Sequence, residues 1–499
     1  VRYTRCEAGA MSQPMNDTVV HVESQNSSLV QKRSASTGRC ALVFFGVLAA
    51  AFIGGGAGAA ITYAVLKQPS SNSSDSSDQA DYIAKRDAFR ATQAYCPQSQ
   101  AVLVVLTDES TAADIQPLID VLNLSSGEEV YYEYTAAMVG FDGTFTDAHV
   151  DALLHNPHVA SIEADCDVGP DQQTSYPQFT DLASGIQTGL NWQGSWGLDR
   201  ISSRTGLDTT FDFGSALGTG VIIYVMDSGI RTDHVEFDGN RAFGGFAAGC
   251  PTGMEAACGS TFGFRGVIDG GAGTAPASCS GHGTFVASNA AGRTLGVAKR
   301  AIVISVQVLD CAGRGSMGNI LAGIDWIVAD YQARGRPNAI ITMSVGTSPG
   351  TTLNNAANAA MNLGLLYVHS AGNAGQLECT RQLNNNPRAL TVAATSSNDR
   401  FASFSNFGPC VQIAAPGDRV MGAQATSSTA SDIQGGTSYA TPYVTGVAAT
   451  IKAAQPWLSA DQLRQVVLCL ATRNVLTVPI PQQPNVMLFG GRSAPTASC

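Results

Sequence analysis

The chain is expected to fold as an α/β protein. A three-layer sandwich with a mainly parallel central sheet is preceded by a small α+β unit and one N-terminal transmembrane helix. Three observations predict this. In the C-terminal part, near-continuous apolar runs alternate with helix-period patterns, as strands covered on both faces require. Upstream, a short stretch reads β-α-β-β-α-β. Nearer the N-terminus lies a long run without a charged residue.

Composition supports a large close-packed core joined by tight turns. Charged residues are 13% of the 499 residues and glycines number 53, which excludes a disordered or coiled-coil chain. That length has room for two or three domains, one of them about 300 residues long. A net charge of -11 without a basic stripe argues against nucleic acid as a partner. None of the twelve cysteines lies in a C-x-x-C pair, which favours disulfides in an oxidising compartment, with connectivity left open.

In chain order, residues 1–39 read as a cytosolic tail and 40–66 as the membrane segment. The uncharged run CALVFFGVLAAAFIGGGAGAAITYAVL exceeds the roughly 20 residues needed to cross a bilayer. Lys32, Arg33 and Arg39 precede it and Asp75, Asp78 and Asp81 follow. That bias keeps the N-terminus in the cytosol, the arrangement of a type II signal anchor. Small residues at 56–60 leave a cleaved signal peptide as an alternative, and a buried core helix as another. Residues 67–99 read as a solvated Ser/Asp-rich linker, with nothing apolar to bury over 69–80. Asn72-Ser73-Ser74 and Asn123-Leu124-Ser125 are glycosylation sequons.

Residues 100–167 form the small unit. A strand at Ala101–Leu106 is followed by a helix carrying Ala113, Ile115, Leu118, Ile119 and Leu122. Strands at 129–134 and 136–141, a helix through Val150, Leu153 and Leu154, and a strand at His158–Glu163 complete it. This is the split-βαβ, ferredoxin-like order. Residues 168–195 are polar and turn-rich, a junction. From 196 to 490, strands are predicted at Val221–Met226, Ala301–Val308, Ala339–Val345, Leu365–His369 and Leu390–Ala394. Helices are predicted at 316–332, 352–363, 437–453 and 459–471, and residues 491–499 are a tail.

Gly435-Gly436-Thr437-Ser438-Tyr439-Ala440-Thr441-Pro442 places a serine in the first turn of a small-residue helix. Unpaired N–H groups and the helix dipole favour negative charge there, a setting for a nucleophile. Acyl transfer at a serine needs a base and a group that fixes the base. Of His234, His282 and His369, the best base is His282, because its flanking glycines admit another backbone. Asp227, at the end of the Val221–Met226 strand, stands where open α/β sheets place their sites.

The order Asp, His, Ser and the words Asp227-Ser228-Gly229, Gly281-His282-Gly283-Thr284 and Gly436-Thr437-Ser438-Tyr439-Ala440-Thr441-Pro442 resemble the subtilisin-like serine proteases. The resemblance runs from about Trp196 to Phe489. The 100–167 unit, ending Val-x-x-Ile-Glu, looks like the inhibitory propeptide of that family. Ser370-Ala371-Gly372-Asn373 is similar to the family's oxyanion motif, which implies Asn373 as donor. Gly315-Ser316-Met317 and Ser344-Val345-Gly346 are implied as the substrate-holding strands.

The cysteine positions resemble the proteinase K and aqualysin branch. They imply Cys279–Cys311 and Cys379–Cys410, leaving Cys250 with Cys258, Cys469 with Cys499 and Cys96 with Cys166. Three positions depart from the family: Phe285 replaces a second histidine, which leaves proton transfer alone but alters packing under the base, Thr347 replaces a glycine beside the primary pocket, and Gln412 a calcium-binding aspartate. The last argues against calcium at that site, and no cofactor is required for the chemistry.

The resemblance implies a serine endopeptidase made as a self-inhibited zymogen, with protein or peptide substrates and its own propeptide as inhibitor. The precursor is expected to sit in the membrane through 40–66, and cutting in the junction releases a monomeric enzyme outside the cell. A non-catalytic interaction protein on the same fold would have lost a triad member, and none is lost. An α/β-hydrolase esterase would need G-x-S-x-G and the order Ser, Asp, His, both absent.

Overall fold

In the computed structural model, residues 76–96, 99, 101–124, 126–168, 176–179, 187–188, 190, 194–213, 217–238, 241–248, 280–310 and 312–491 are described. The first element corrects the linker expectation for 67–99: Ser76–Tyr95 is a helix, α1. Phe89 of α1 is buried among Val102, Ile162 and their neighbours, and Tyr82 stacks on His155 at 3.8 Å. The opening Ser/Asp run hides this helix, because the burying residues come only later.

The small unit follows the predicted order. Strands β1 (Ala101–Leu106), β2 (Glu129–Tyr134), β3 (Gly140–Thr144) and β4 (Val159–Ala164) form a sheet in the order β2-β3-β1-β4, every pair antiparallel. Helices α2 (Ile115–Leu122) and α3 (Asp147–Leu154) cover it. The strand predicted at 136–141 begins instead at Gly140. The N–H groups of Thr135, Ala136 and Ala137 are all held by the Asp325 carboxylate, so this stretch turns rather than pairs.

The interior strands of the large sheet are almost wholly buried, as parallel strands under two helical layers must be, while its edge strand Ala242–Ala247 is mostly part-buried. In chain order the strands of this sheet are β5 (Val221–Asp227), β6 (Ala242–Ala247), β7 (Ile302–Gln307), β8 (Asn338–Met343), β9 (Leu366–Ser370), β10 (Leu390–Thr395), β11 (Ile413–Pro416), β12 (Thr472–Arg473) and β13 (Val486–Met487). Their spatial order is β6-β7-β5-β8-β9-β10-β11-β13-β12. All pairs are parallel except β12 with β13. Sequence reading missed β6, whose Ala-Phe-Gly-Gly-Phe-Ala lacks a sustained apolar run, and β11, which is short and ends in Pro416.

The helices are α4 (Trp196–Ser202), α5 (His282–Ala291), α6 (Met317–Ala333), α7 (Thr352–Asn362), α8 (Thr437–Ala454) and α9 (Ala460–Leu470). Ser316 caps α6 by accepting from the Asn319 N–H, and Ser459 with Gln462 makes a capping box on α9. Helix α8 is buried from Thr437 to Ala449, which its run of small residues permits. At Gly446 a Cβ would lie 2.6 Å from Val297 Cβ and 2.8 Å from the Ala290 carbonyl. The glycine thus lets α8 press against α5.

In the junction, Tyr176–Phe179 pairs with Ser431–Gln434, and Gln187–Thr188 with Thr210–Phe211. Disulfides join Cys96 to Cys166 and Cys379 to Cys410, and Cys469 is also disulfide-bonded. Cys250, Cys258, Cys279, Cys311 and Cys499 lie outside the described residues, as do the sequon at Asn72 and the segment 40–66. No helix among the described residues is long and apolar enough to cross a membrane.

Candidate active site

Three parts of the chain meet at the carboxyl end of the sheet. Strand β5 delivers Asp227 at its last residue, α5 opens with His282, and α8 carries Ser438 at its second position. The His282 Nδ1 lies 2.8 and 2.9 Å from the two Asp227 carboxylate oxygens. Both side chains are fully buried. The Ser228 N–H donates to Asp227 Oδ1 at 2.7 Å, which fixes the carboxylate's rotation. With a carboxylate as partner, Nδ1 carries the proton and Nε2 presents its lone pair. That Nε2 is buried and has no hydrogen-bond partner.

Of the glycines beside the histidine, Gly283 is a steric necessity because it meets backbone, whereas Gly281 meets the end of a glutamine side chain. At Gly283 a Cβ would stand 2.3 Å from the Gly229 carbonyl, and at Gly281 it would stand 1.9 Å from Gln424 Oε1. Neither other candidate histidine is available as a base. His234 accepts the Glu236 N–H through Nδ1, and its Nε2 lies 2.8 Å from the Ala430 carbonyl. Burial holds the His369 imidazole far below its ordinary range, at about 3.

Ser438 is buried, and its Oγ donates to the Ser344 carbonyl at 3.4 Å. The reciprocal bond has a cause in the sequence. Pro442, four residues on, has no N–H for the Ser438 carbonyl, and the Ser344 hydroxyl donates to it at 2.9 Å instead. One proline thereby ties the helix of Ser438 to the segment Ser344-Val345-Gly346.

Asn373 is oriented by two donors. Its Oδ1 accepts the Thr437 N–H at 2.8 Å and the Thr437 hydroxyl at 2.9 Å. That hydroxyl accepts in turn from the Gly372 N–H at 3.1 Å. The amide nitrogen must therefore point the other way, and Nδ2 is buried without a partner. It is a donor held ready beside the first turn of α8.

Gly315 and Ser316 are already paired as a strand edge. Val168 lies opposite Gly315 and Asp167 opposite Ser316, antiparallel, and the Met317 N–H donates to the Cys166 carbonyl at 3.0 Å. The end of the small unit thus occupies this edge as an added strand. Beneath the histidine the sequence marks Phe285 as a change in packing, but not the residues it packs against. Phe285 is fully buried and tilts against Tyr439 at 4.2 Å, and Tyr439 reaches the His282 ring at 5.4 Å. The Tyr439 hydroxyl donates to Gln434. Gly422 makes room, since a Cβ there would sit 2.3 Å from Phe285.

Thr347 donates to the Gln382 carbonyl at 2.7 Å. Gln412 spends its Oε1 on the Thr391 N–H at 2.6 Å, which fits a strand-pairing role better than a cation ligand. No cluster of three or more His, Cys, Asp or Glu able to hold a metal occurs among the described residues.

Residues 218–484 match the model of the subtilase family, and residues 96–169 match that of the peptidase inhibitor I9. An extracellular serine proteinase of Thermus sp. (strain Rt41A) is 36% identical over 73% of this chain and 78% of its own. A cuticle-degrading protease of Metarhizium anisopliae is 31% identical over 80% of this chain and 92% of its own. Among solved structures, a cold adapted subtilisin-like serine proteinase aligns with TM-score 0.50 at 30% identity. That alignment covers 59% of this chain and 97% of the other.

Proposed function

This chain belongs to the subtilase family and is a serine endopeptidase made as a self-inhibited zymogen; on that premise we propose that Asp227, His282 and Ser438 are its catalytic triad and Asn373 an oxyanion donor. Ser438 Oγ attacks the scissile carbonyl, and His282 Nε2 takes its proton and returns it to the leaving amine. Asp227 holds the Nδ1–H tautomer and stabilises the imidazolium. The observation that carries this reading is the Asp227–His282 bond with Nε2 left unpartnered. It lies on α5, against which α8 packs through Gly446. For transfer, Ser438 Oγ turns from the Ser344 carbonyl to Nε2. The Asn373 Nδ2, which has no partner, and the backbone N–H of Ser438 in the first turn of α8 then meet the developing oxyanion.

Gly315, Ser316 and Met317, with Ser344, Val345 and Gly346, hold the substrate as an added strand. The seating of Asp167–Val168 on Gly315–Ser316 supports the first edge, and the bonds between Ser344 and Ser438 support the second. The domain unit 196–490 carries the catalysis and 100–167 the inhibition. Residues 40–66 anchor the precursor as a type II membrane protein, and a cut within 168–195 releases the enzyme outside the cell. The uncharged run and the extracellular relative support that route. The test compares the full chain with Ser438→Ala by N-terminal sequencing and cleavage of unfolded casein. Wild type is expected to gain a new terminus within 168–195 and to degrade casein. Equal maturation of both would refute self-processing.

A further inference from the structure

The inhibitory strand is held by more than backbone pairing. Glu163 Oε1 accepts the Thr351 N–H at 2.7 Å, the Thr352 N–H at 3.0 Å and the Thr351 hydroxyl at 3.1 Å. Gln382 Nε2 donates to Glu163 Oε2 at 3.4 Å. Gln382 is fully buried, and its Oε1 is committed to the Leu353 N–H at 2.6 Å, which aims the amide nitrogen at the carboxylate. Thr352 Oγ1, in the same first turn of α7, is buried without a partner. Two residues on, Asp165 Oδ1 accepts the Gly318 N–H at 2.8 Å in the first turn of α6. The chain then continues to the pairing of Val168 with Gly315.

Every one of these donors belongs to the catalytic domain. Their positions are set by α6, α7 and the Gln382–Leu353 bond, all within the catalytic domain. Side chains two apart on an extended chain face the same way, so the two helix N-termini recognise acid-x-acid on a strand running into the Gly315 edge. We propose that, once the propeptide has left, this surface is an exosite for protein substrates bearing two acidic side chains at alternate positions. The pair lies a few residues upstream of the segment seated on Gly315–Ser316. The proposal rests on the endopeptidase reading above and names a substrate class for it.

The test uses enzyme matured from the full chain and two quenched fluorogenic peptides sharing one cleavable segment. The first is preceded by the sequence of residues 162–168 with serine for the cysteine. In the second, the positions matching Glu163 and Asp165 carry glutamine and asparagine. Charge-assisted hydrogen bonds at two helix N-termini predict a kcat/KM ratio of about 10-fold or more for the acidic peptide, carried by KM, and reduced at high salt. Gln382→Glu keeps the acceptor for Leu353 but sets a carboxylate against the acid, and is expected to bring the ratio to about one. Gly318→Ala places a methyl 3.1 Å from the position of Asp165 Oδ2, and is expected to lower the ratio through the second acid alone. A wild-type ratio of one, or a ratio unchanged in both variants, overturns the exosite. Cleavage of neither peptide overturns the catalytic assignment and the exosite with it.

Discussion

Release of the propeptide is expected to depend on pH through Asp142. This carboxyl is 4% exposed and faces the N-terminus of α6, where a Cβ on Gly318 would lie 2.6 Å from it. The Tyr134 hydroxyl donates to it at 2.8 Å, and the Asp165 carboxylate approaches the same Cβ position of Gly318, at 3.1 Å. Burial foremost, with the Asp165 charge adding and the Tyr134 bond opposing, pushes the carboxyl from 3.8 up to about 7. In the separated propeptide this face of β3 meets water and the carboxyl returns toward its ordinary value. Because the bound value is the raised one, the contribution to binding is full below about 4 and is lost as pH climbs to about 7. At 1.36 kcal/mol per unit the whole shift corresponds to at most about 4 kcal/mol, and half of it to about 30-fold in affinity. Asp325 is also raised by burial, while the Thr135, Ala136 and Ala137 N–H groups favour its charged form, so Asp142→Asn isolates the first carboxyl from this second one. The assay dilutes the self-cleaved complex to nanomolar concentration. It reads peptide hydrolysis from pH 5 to 9, normalised to propeptide-free enzyme at each pH. The free fraction should rise between pH 5 and 7 and level off above. Asp142→Asn keeps the acceptor for Tyr134 but cannot ionise, so it should flatten the rise and inhibit more tightly at pH 8. The same slope with and without the substitution would refute the reasoning.

Other substitutions test the site directly. Asn373→Leu removes the free Nδ2 and should lower kcat by about 10²–10³, the usual range for one oxyanion donor, with KM little changed; unchanged turnover in steady-state kinetics would remove Asn373 from the role. Gly283→Ala forces a methyl to within 2.3 Å of the Gly229 carbonyl and 3.1 Å of Asp227 Cβ. It should cost about 1–3 kcal/mol of stability and lower kcat, read by thermal unfolding and peptide hydrolysis. Phe285→Ala empties the space under Tyr439 and should destabilise by about 3–5 kcal/mol in denaturant titration. A wild-type midpoint would mean that the aromatic stack contributes little.

Much of this architecture could be read from residues. Strand β5 was recognisable because Val221–Met226 is uniformly apolar, and α8 because its small residues recur at helical spacing. Asp227 and His282 stood out as candidate acid and base because each sits at the end of an element. Helix α1 escaped because it is only partly buried and starts in a polar run. The reach of β3 was misjudged because its first residues give their N–H groups to Asp325, a partner 189 positions from Ala136. The contact of Phe285 with Tyr439 and Gly422 escaped for the same reason. Each residue is ordinary alone, and only packing over long sequence separation gives them a joint role under His282.

The sharing of one rim by catalysis and inhibition follows from the sheet itself. A parallel strand that ends at the upper edge must be followed by a helix that starts there, so the N-termini of α6 and α7 lie where β7 and β8 end. Helix N-termini attract negative charge. Here one N-terminus binds Glu163 and another binds Asp165, and that of α8 is the one proposed to face the oxyanion. An inhibitor that docks its carboxylates on two of these ends carries its own chain onto the Gly315–Ser316 edge, as the pairing of Asp167–Val168 does. Moving Glu163 or Asp165 by a single residue would turn the carboxylate to the opposite face of the strand. The spacing of acids in the propeptide is therefore set by the distance between two crossover helices, and a substrate using the same donors has to obey the same spacing.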